Sequence, residues 1–117
     1  MAHNFKELKI WQRGMDIVDL SYDYVSGLPN EEKFNLKSQI IRSACSIPVN
    51  IAEGAGKRTK KHFGEFVTTS LGSCFELETH LLICERRKFG DEKLRKKMLI
   101  ETVELKNMIY KFRESLD

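Results

Sequence analysis

The sequence predicts an all-α protein, an antiparallel up-down-up-down four-helix bundle. Apolar residues recur at steps of three and four in four windows of about 25 residues, which is the period of an amphipathic helix. No window alternates polar and apolar residues as a half-buried strand does. Only 2 prolines and 7 glycines interrupt the 117 residues. Short turns therefore connect the windows, and consecutive helices are predicted to run antiparallel.

The length and composition of the chain indicate a single domain that does not span a membrane. A chain of 117 residues suits one domain, so we predict a single domain over residues 1–117. No apolar run approaches the roughly twenty residues of a membrane span, and the N-terminal segment lacks the apolar core of a signal peptide. The 3 cysteines have no CxxC spacing, which favours reduced thiols. We therefore expect a cytoplasmic protein with no membrane partner.

The first helix is predicted from about Phe5 to Leu28. Gly14 marks a close approach of another helix, and Gly27 and Pro29 end the helix. The stripe predicted to face the core consists of Leu8, Trp11, Met15, Val18, Tyr22 and Val25. A second stripe beside it, predicted to contact another neighbouring helix, consists of Ile10, Ile17, Tyr24 and Leu28.

The second helix, predicted over residues 31–55, carries two stripes on almost opposite faces. Its apolar stripe continues past Pro48, so we expect the proline to kink the helix rather than end it. The opposite stripe is polar and consists of Gln39, Arg42, Ser46, Asn50 and Glu53. Such a stripe is either a solvated outer face or a contact with another subunit.

The third and fourth helices are predicted over residues 61–89 and 92–116. Thr59 is the predicted N-cap of the third helix, and Gly90 and Asp91 form the turn between the two. Glu78 and Glu85 project from the same face as Leu71, and burying a carboxylate there without a partner is costly. Arg42 is a candidate partner for these carboxylates.

The sequence contains no catalytic constellation. The segment Gly54-Ala-Gly56-Lys57 lacks the earlier glycine and the following Ser or Thr of a phosphate-binding loop. The Glu-x-x-His pairs of a di-iron bundle are also absent. We therefore expect a protein that is not an enzyme, with no catalytic residues, no metal, no cofactor and no small-molecule substrate.

Positive charge is concentrated in one turn. The run KRTKK at residues 57–61 carries four positive charges, although the whole chain has a net charge of only +3. In the predicted bundle this turn shares one end with the start of the first helix. The candidate nucleic-acid contacts at this end are Lys57, Arg58, Lys60, Lys61, Lys6, Lys9 and Arg13. Cations before a helix N-terminus are unfavourable, so phosphate binding explains this run better than helix stability does.

Three segments resemble a known family. The runs LKIWQRGMDI (8–17), QIIRSACSIPVNIAEG (39–54) and GSCFELETHL (72–81) are similar to the four-helix-bundle proteins encoded in intervening sequences of bacterial ribosomal RNA genes. The family has no established enzymatic activity. Its members are similar to the accessory variability determinant of diversity-generating retroelements, a basic bundle that forms a ring-like pentamer and binds nucleic acid. The resemblance implies structural or intersubunit positions for Gln39, Arg42, Asn50, Glu53, Glu76 and Glu78.

Two functions remain open from the sequence. The first is a homo-oligomer, expected to be a pentamer, that binds RNA or DNA through basic helix ends. The second is a protein-interaction or structural scaffold whose lysines serve only solubility. Binding of nucleic acid that weakens with salt distinguishes the first from the second.

Overall fold

The computed structural model describes residues 4–117 as a four-helix bundle. Its α-helices are α1 (Lys9–Val25), α2 (Ser38–Ala55), α3 (Lys60–Arg87) and α4 (Glu92–Ser115). Each helix packs on the next, and α4 also contacts α1, so the four helices lie at the corners of a square in cross-section. The bundle measures 45 × 23 × 19 Å along its principal axes. The predicted all-α fold is confirmed. The single domain over residues 1–117 stays a prediction, and residues 1–3 lie outside the described residues.

The helix ends differ from the prediction mainly before α1 and α2. Residues 5–7 form a 3-10 turn, which the Asn4 side chain caps by accepting from the Lys6 N–H. Leu8 is extended and separates this turn from α1. A 3-10 turn at Asn30–Glu32 and a π-helical segment at Lys33–Lys37 precede α2. Periodicity predicts helical structure in these segments but does not distinguish the tighter or wider turn.

The core of α1 is formed by the stripe predicted to lie beside the main one. Ile10, Ile17 and Tyr24 are at most 4% exposed. The stripe predicted to face the core is only partly buried, and Met15 and Tyr22 in it are 40% and 56% exposed. The assignment of the main stripe was wrong. Both stripes are apolar, and only the positions of α2 and α4 decide which one is covered.

Pro48 lies inside α2 and does not end the helix, as predicted, and the kink expected there stays a prediction. The proline packs against α1 at Gly14, where a Cβ atom would lie 3.4 Å from the Cβ and Cδ of Pro48 and from Cγ2 of Ile47. A larger residue at position 14 would therefore press on α2. The predicted close approach at Gly14 is confirmed.

Side chains cap both long helices. Thr59 Oγ1 accepts from the His62 N–H at 3.1 Å, so the predicted N-cap of α3 is confirmed. Asp91 accepts from the Leu94 N–H at 2.8 Å and caps α4. The carbonyl of Phe89 in the turn between them accepts hydrogen bonds from the Tyr24 hydroxyl and from Arg95.

Gly54 allows α2 and α3 to meet at the basic turn. A Cβ at this position would lie 2.7 Å from Cβ of Phe66 and 3.0 Å from Cδ1 of Phe63. We predict that Gly54→Ala lowers the free energy of unfolding by about 1–3 kcal/mol because it overpacks this contact. Gly72→Ala is the control, since Gly72 is exposed within α3 and a Cβ there would meet nothing within 4 Å. It should raise stability by roughly 0.5–1 kcal/mol. Urea unfolding measures both, and equal effects would contradict the packing argument.

Alkaline pH should destabilise the fold. Burial raises the pKa of Cys74 from 9.0 to about 12, and burial also raises the pKa of Cys84. Above pH 9 the unfolded chain loses these protons while the folded chain retains them, so stability falls as pH rises. Burial raises the pKa of Tyr24 from 10.0 to about 12, which adds to the fall above pH 10.

The measurement is urea unfolding from pH 7.5 to pH 10 with a reducing agent present. We predict that Cys74→Ala reduces the slope of stability against pH from pH 9 upward. Tyr24→Phe should leave that slope unchanged below pH 10. A wild-type stability that stays constant up to pH 10 would contradict the expected fall.

Candidate nucleic-acid interface

The basic turn, the start of α1 and the end of α4 lie at one end of the bundle. Arg113 near the end of α4 donates to Thr68 Oγ1 on α3 at 3.4 Å. A groove of about 390 Å³ between these helices is lined by Lys60, Lys61 and Arg113 together with Glu65 and Asp117. A second cavity of about 430 Å³, between the start of α1 and the end of α4, is lined by Lys9 and Lys111. We call this end of the molecule, with residues 57–61, Lys6 and Lys9, the basic end.

The lysines of the basic end are available to a ligand. Lys60 and Lys61 are exposed, as are Lys6 and Lys9. Within residues 4–117 none of these four lysines takes part in a salt bridge. Lys57 is partly buried, with Nζ 4.9 Å from the centroid of the Phe66 ring.

The two arginines among the candidate nucleic-acid contacts, Arg58 and Arg13, have different surroundings from each other. Arg58 is exposed in the turn between α2 and α3. Arg13 joins α1 to α4, because its Nη2 lies 2.9 Å from Glu104 Oε1 and its Nη1 donates to the sulfur of Met108. Arg13 therefore has a structural role within the chain and is less available to phosphate than the lysines.

The position of Lys60 and Lys61 is electrostatically unusual. Both lie in the first turn of α3, where unpaired backbone N–H groups already give the helix a partial positive charge. No acidic residue occurs in this first turn. An anion placed here would interact favourably with the N–H groups and with both ammonium groups. Nε2 of His62, one residue further on, lies 3.9 Å from Oε1 of Glu65.

The polar stripe of α2 makes its contacts partly within the chain. Arg42 bonds to Glu76 Oε2 on α3 at 2.9 Å and to Gln39 Oε1 at 2.5 Å. Ser73 on α3 donates to Ser46 Oγ at 2.8 Å. These contacts lie along the edge between α2 and α3, so part of the stripe is neither fully solvated nor reserved for another subunit.

The remaining predicted polar positions divide between structural and exposed. Asn50 donates to the Ser46 carbonyl within its own helix, and Glu53 is exposed. Glu78 pairs with Lys106 on α4 at 2.8 Å, so the predicted pairing of Arg42 with Glu78 was wrong. The reason is geometric, since Glu76 faces α2 whereas Glu78, two residues on, faces α4. Lys106 was missed because nothing in its spacing distinguishes it from other surface lysines.

His80, the second histidine of α3, is a partly buried side chain. Both ring nitrogens of His80 are buried and have no hydrogen-bond partner among residues 4–117, and burial lowers the pKa of His80. Glu76 Oε2 lies 3.9 Å from its Nε2 and acts in the opposite direction. Among residues 4–117 no three His, Cys, Asp or Glu side chains are grouped to hold a metal ion. In the same range, no helix combines the length and apolar character that crossing a bilayer requires.

Comparison with known proteins identifies the family. No curated protein matches the chain. Among solved structures, the chain is similar to a protein of unknown function from the S23 ribosomal protein family of Bacteroides thetaiotaomicron VPI-5482, with 19% sequence identity and a TM-score of 0.76. The alignment covers 89% of this chain and 97% of that one, and it supports the four-helix fold. The model of the 23S rRNA-intervening sequence protein family matches residues 6–111. The chain therefore belongs to the 23S rRNA-intervening sequence protein family.

Proposed function

We propose that this protein is a non-enzymatic, cytoplasmic homo-oligomer that binds the backbone of RNA or DNA through its basic end. The observation that carries the proposal is the pair Lys60 and Lys61 in the first turn of α3, which are exposed and form no salt bridge with any of the residues 4–117. Because cations in this position destabilise a helix, their presence is better explained by an anionic ligand. The cytoplasmic location is supported by the three unpaired cysteines, since that compartment keeps thiols reduced.

A polymer of phosphates suits the basic end better than a single small anion. The cations come from the start of α1, the turn at residues 57–61 and the end of α4, so they cover the end of the bundle instead of converging on one point. Spread cations neutralise successive phosphates and release counterions, which gives salt-sensitive and sequence-independent binding. The family's description refers to intervening sequences of 23S rRNA, so RNA is the first nucleic acid to test.

Two apolar surfaces on different sides of the bundle support self-association. One lies on the outside of α1 and α2, where Met15, Tyr22 and Val49 are 40%, 56% and 57% exposed. The other lies near the end of α3, where Leu82 and Ile83 are 46% and 42% exposed beside a shallow cavity of about 230 Å³. Two different surfaces that meet head to tail form a ring when the rotation between copies closes, and a five-fold rotation gives a pentamer.

The alternative function is a protein-interaction scaffold that does not bind nucleic acid. The same exposed apolar residues favour it, because surface patches of this kind commonly contact other proteins. The two functions make different predictions for the lysines of the basic end. A scaffold would tolerate their neutralisation without losing any binding activity.

We predict that Lys57→Gln, Lys60→Gln and Lys61→Gln together weaken RNA binding by about ten-fold or more at low salt. The plot of log affinity against log salt should also become less steep, by about 2–3 in slope for the phosphates no longer contacted. Fluorescence anisotropy with a labelled RNA measures both quantities.

The control for this prediction is a triple variant at the opposite end, Lys93→Gln, Lys96→Gln and Lys97→Gln, which removes the same number of charges. It should retain most of the affinity and the salt slope. Equal losses in the two variants would show that net charge alone governs binding. Absence of binding by the wild-type protein would favour the scaffold.

We predict that Met15→Arg combined with Tyr22→Arg reduces the molar mass of the assembly, because the α1 surface would then carry charges that cannot be desolvated cheaply. Light scattering after size exclusion measures the mass, and circular dichroism confirms that the helices remain. Asp16→Arg with Asp23→Arg is the control, since both carboxylates are exposed on α1. A wild-type protein that is monomeric at micromolar concentration would contradict the proposed assembly.

A further inference from the structure

Two aromatic side chains lie largely in solvent on the outer face of α3 and α4. Phe75 is 54% exposed and Tyr110 is 51% exposed. A neighbouring cation lies over each ring: Lys106 Nζ is 4.8 Å from the centroid of Phe75, and the guanidinium of Arg113 is 5.2 Å from that of Tyr110. These cation–π contacts favour one orientation of each ring. Each ring is therefore a preformed flat surface, which reduces the entropy lost on binding a ligand.

The two rings lie on a line that starts at the basic end. Arg113 contacts Thr68 and Lys106 contacts Glu78, so the part of α4 between them faces the part of α3 between residues 68 and 78. Tyr110 and Lys106 are one helical turn apart on the same side of α4. From the groove of the basic end, the side chains along this line are, in order, Arg113, Tyr110 and Phe75, with Lys106 beside Phe75. We call this line the aromatic track.

The surface beside the track is open. Gly72 is exposed on α3, and a Cβ placed there would meet no atom within 4 Å. By the antiparallel register, Gly72 lies about level with Tyr110. The absence of a side chain at this point leaves space beside the ring for a planar group the size of a nucleobase.

The lysine on the track and the lysines in the adjoining groove have different roles, because only the first is paired with a carboxylate. Nζ of Lys106 lies 2.8 Å from Oε1 of Glu78, and the two side chains are only 18% and 22% exposed. Its charge is therefore largely neutralised within the protein, and it orients Phe75. In the described part of the chain, Lys60 and Lys61 in the adjoining groove have no such pairing, although Glu65 and Asp117 line the same groove. Phosphate is therefore expected on the lysine side of the groove.

We propose that the aromatic track binds single-stranded nucleic acid, with unpaired bases stacked on Tyr110 and Phe75 and the adjoining phosphates held by Lys60 and Lys61. The inference rests on the proposed function and adds a preference for unpaired strands. In a duplex each base is stacked between its neighbours and offers no free face to a side chain. A single strand exposes those faces, and proteins that bind it combine a cationic groove with aromatic stacking.

The test compares one RNA in two forms. The probes are a labelled oligouridine of about 20 nucleotides and the same strand annealed to oligoadenosine, both measured by fluorescence anisotropy. The wild-type protein should bind the single strand more tightly than the duplex. Tyr110→Ala should weaken single-strand binding by roughly ten-fold and leave duplex binding unchanged, whereas Tyr110→Phe should retain the affinity.

A matched control is available at the entrance to α2. Phe34 is 87% exposed, and Lys33 Nζ lies 5.3 Å from its ring centroid, so it combines an exposed ring with a cation outside the track. Phe34→Ala should leave both affinities unchanged. If Phe34→Ala and Tyr110→Ala weaken binding equally, stacking on the track is overturned.

The outcomes separate this inference from the proposed function. If Tyr110→Ala binds the single strand as tightly as wild type while the lysine variant binds it weakly, stacking is overturned and the basic end stands. If wild type binds neither probe, both ideas fail. If Tyr110→Ala lowers the molar mass in light scattering, this face is a contact between copies and the track is overturned.

Discussion

The packing of α2 against α1 and α3 is the constraint on which the rest of the structure depends. Ile40, Ile47 and Ile51 on α2 have no solvent exposure, and burying such side chains contributes about 1.5–3 kcal/mol each relative to leaving them in water. Glycines allow α2 to approach both neighbours closely. Gly14 of α1 lies at the contact between α1 and α2, and Gly54 of α2 lies at the contact between α2 and α3. Because α2 lies between α1 and α3 and ends beside the start of α3, its packing also fixes where the basic turn is placed.

Polar contacts join neighbouring helices at the edges of the bundle. Arg42 joins α2 to Glu76 on α3, Arg13 joins α1 to Glu104 on α4, and Lys106 on α4 joins Glu78. Exposed pairs of this kind contribute about 0–1 kcal/mol each, so they hold the helices together less than the core does. The Lys106–Glu78 pair is the most buried of the three, and it also orients Phe75. The same contact therefore joins α3 to α4 and shapes the surface on which we propose that bases stack.

The surfaces proposed for self-association and the surface proposed for nucleic-acid binding lie on different parts of the bundle. The apolar surfaces that support self-association lie on the sides of the bundle, whereas the basic end lies at one extreme of its 45 Å axis. In a ring built through the sides, equivalent ends of every copy would point the same way. Several weak phosphate sites would then act together, and multivalency of this kind raises the overall affinity without any new contact. The proposed assembly and the proposed nucleic-acid binding therefore reinforce each other.

The sequence by itself determined the four helices, the cap at Thr59, the turn at Gly90 and Asp91, and the collection of cations at the helix ends. These features depend on local spacing and on chain direction, which a linear pattern contains. The tertiary structure alone decided which of two apolar stripes on α1 is buried, that Glu76 and not Glu78 meets Arg42, and that Phe75 and Tyr110 lie on one face. Those outcomes depend on the rotation and register of neighbouring helices. Packing between distant segments fixes both, and the period of a single helix leaves them undetermined.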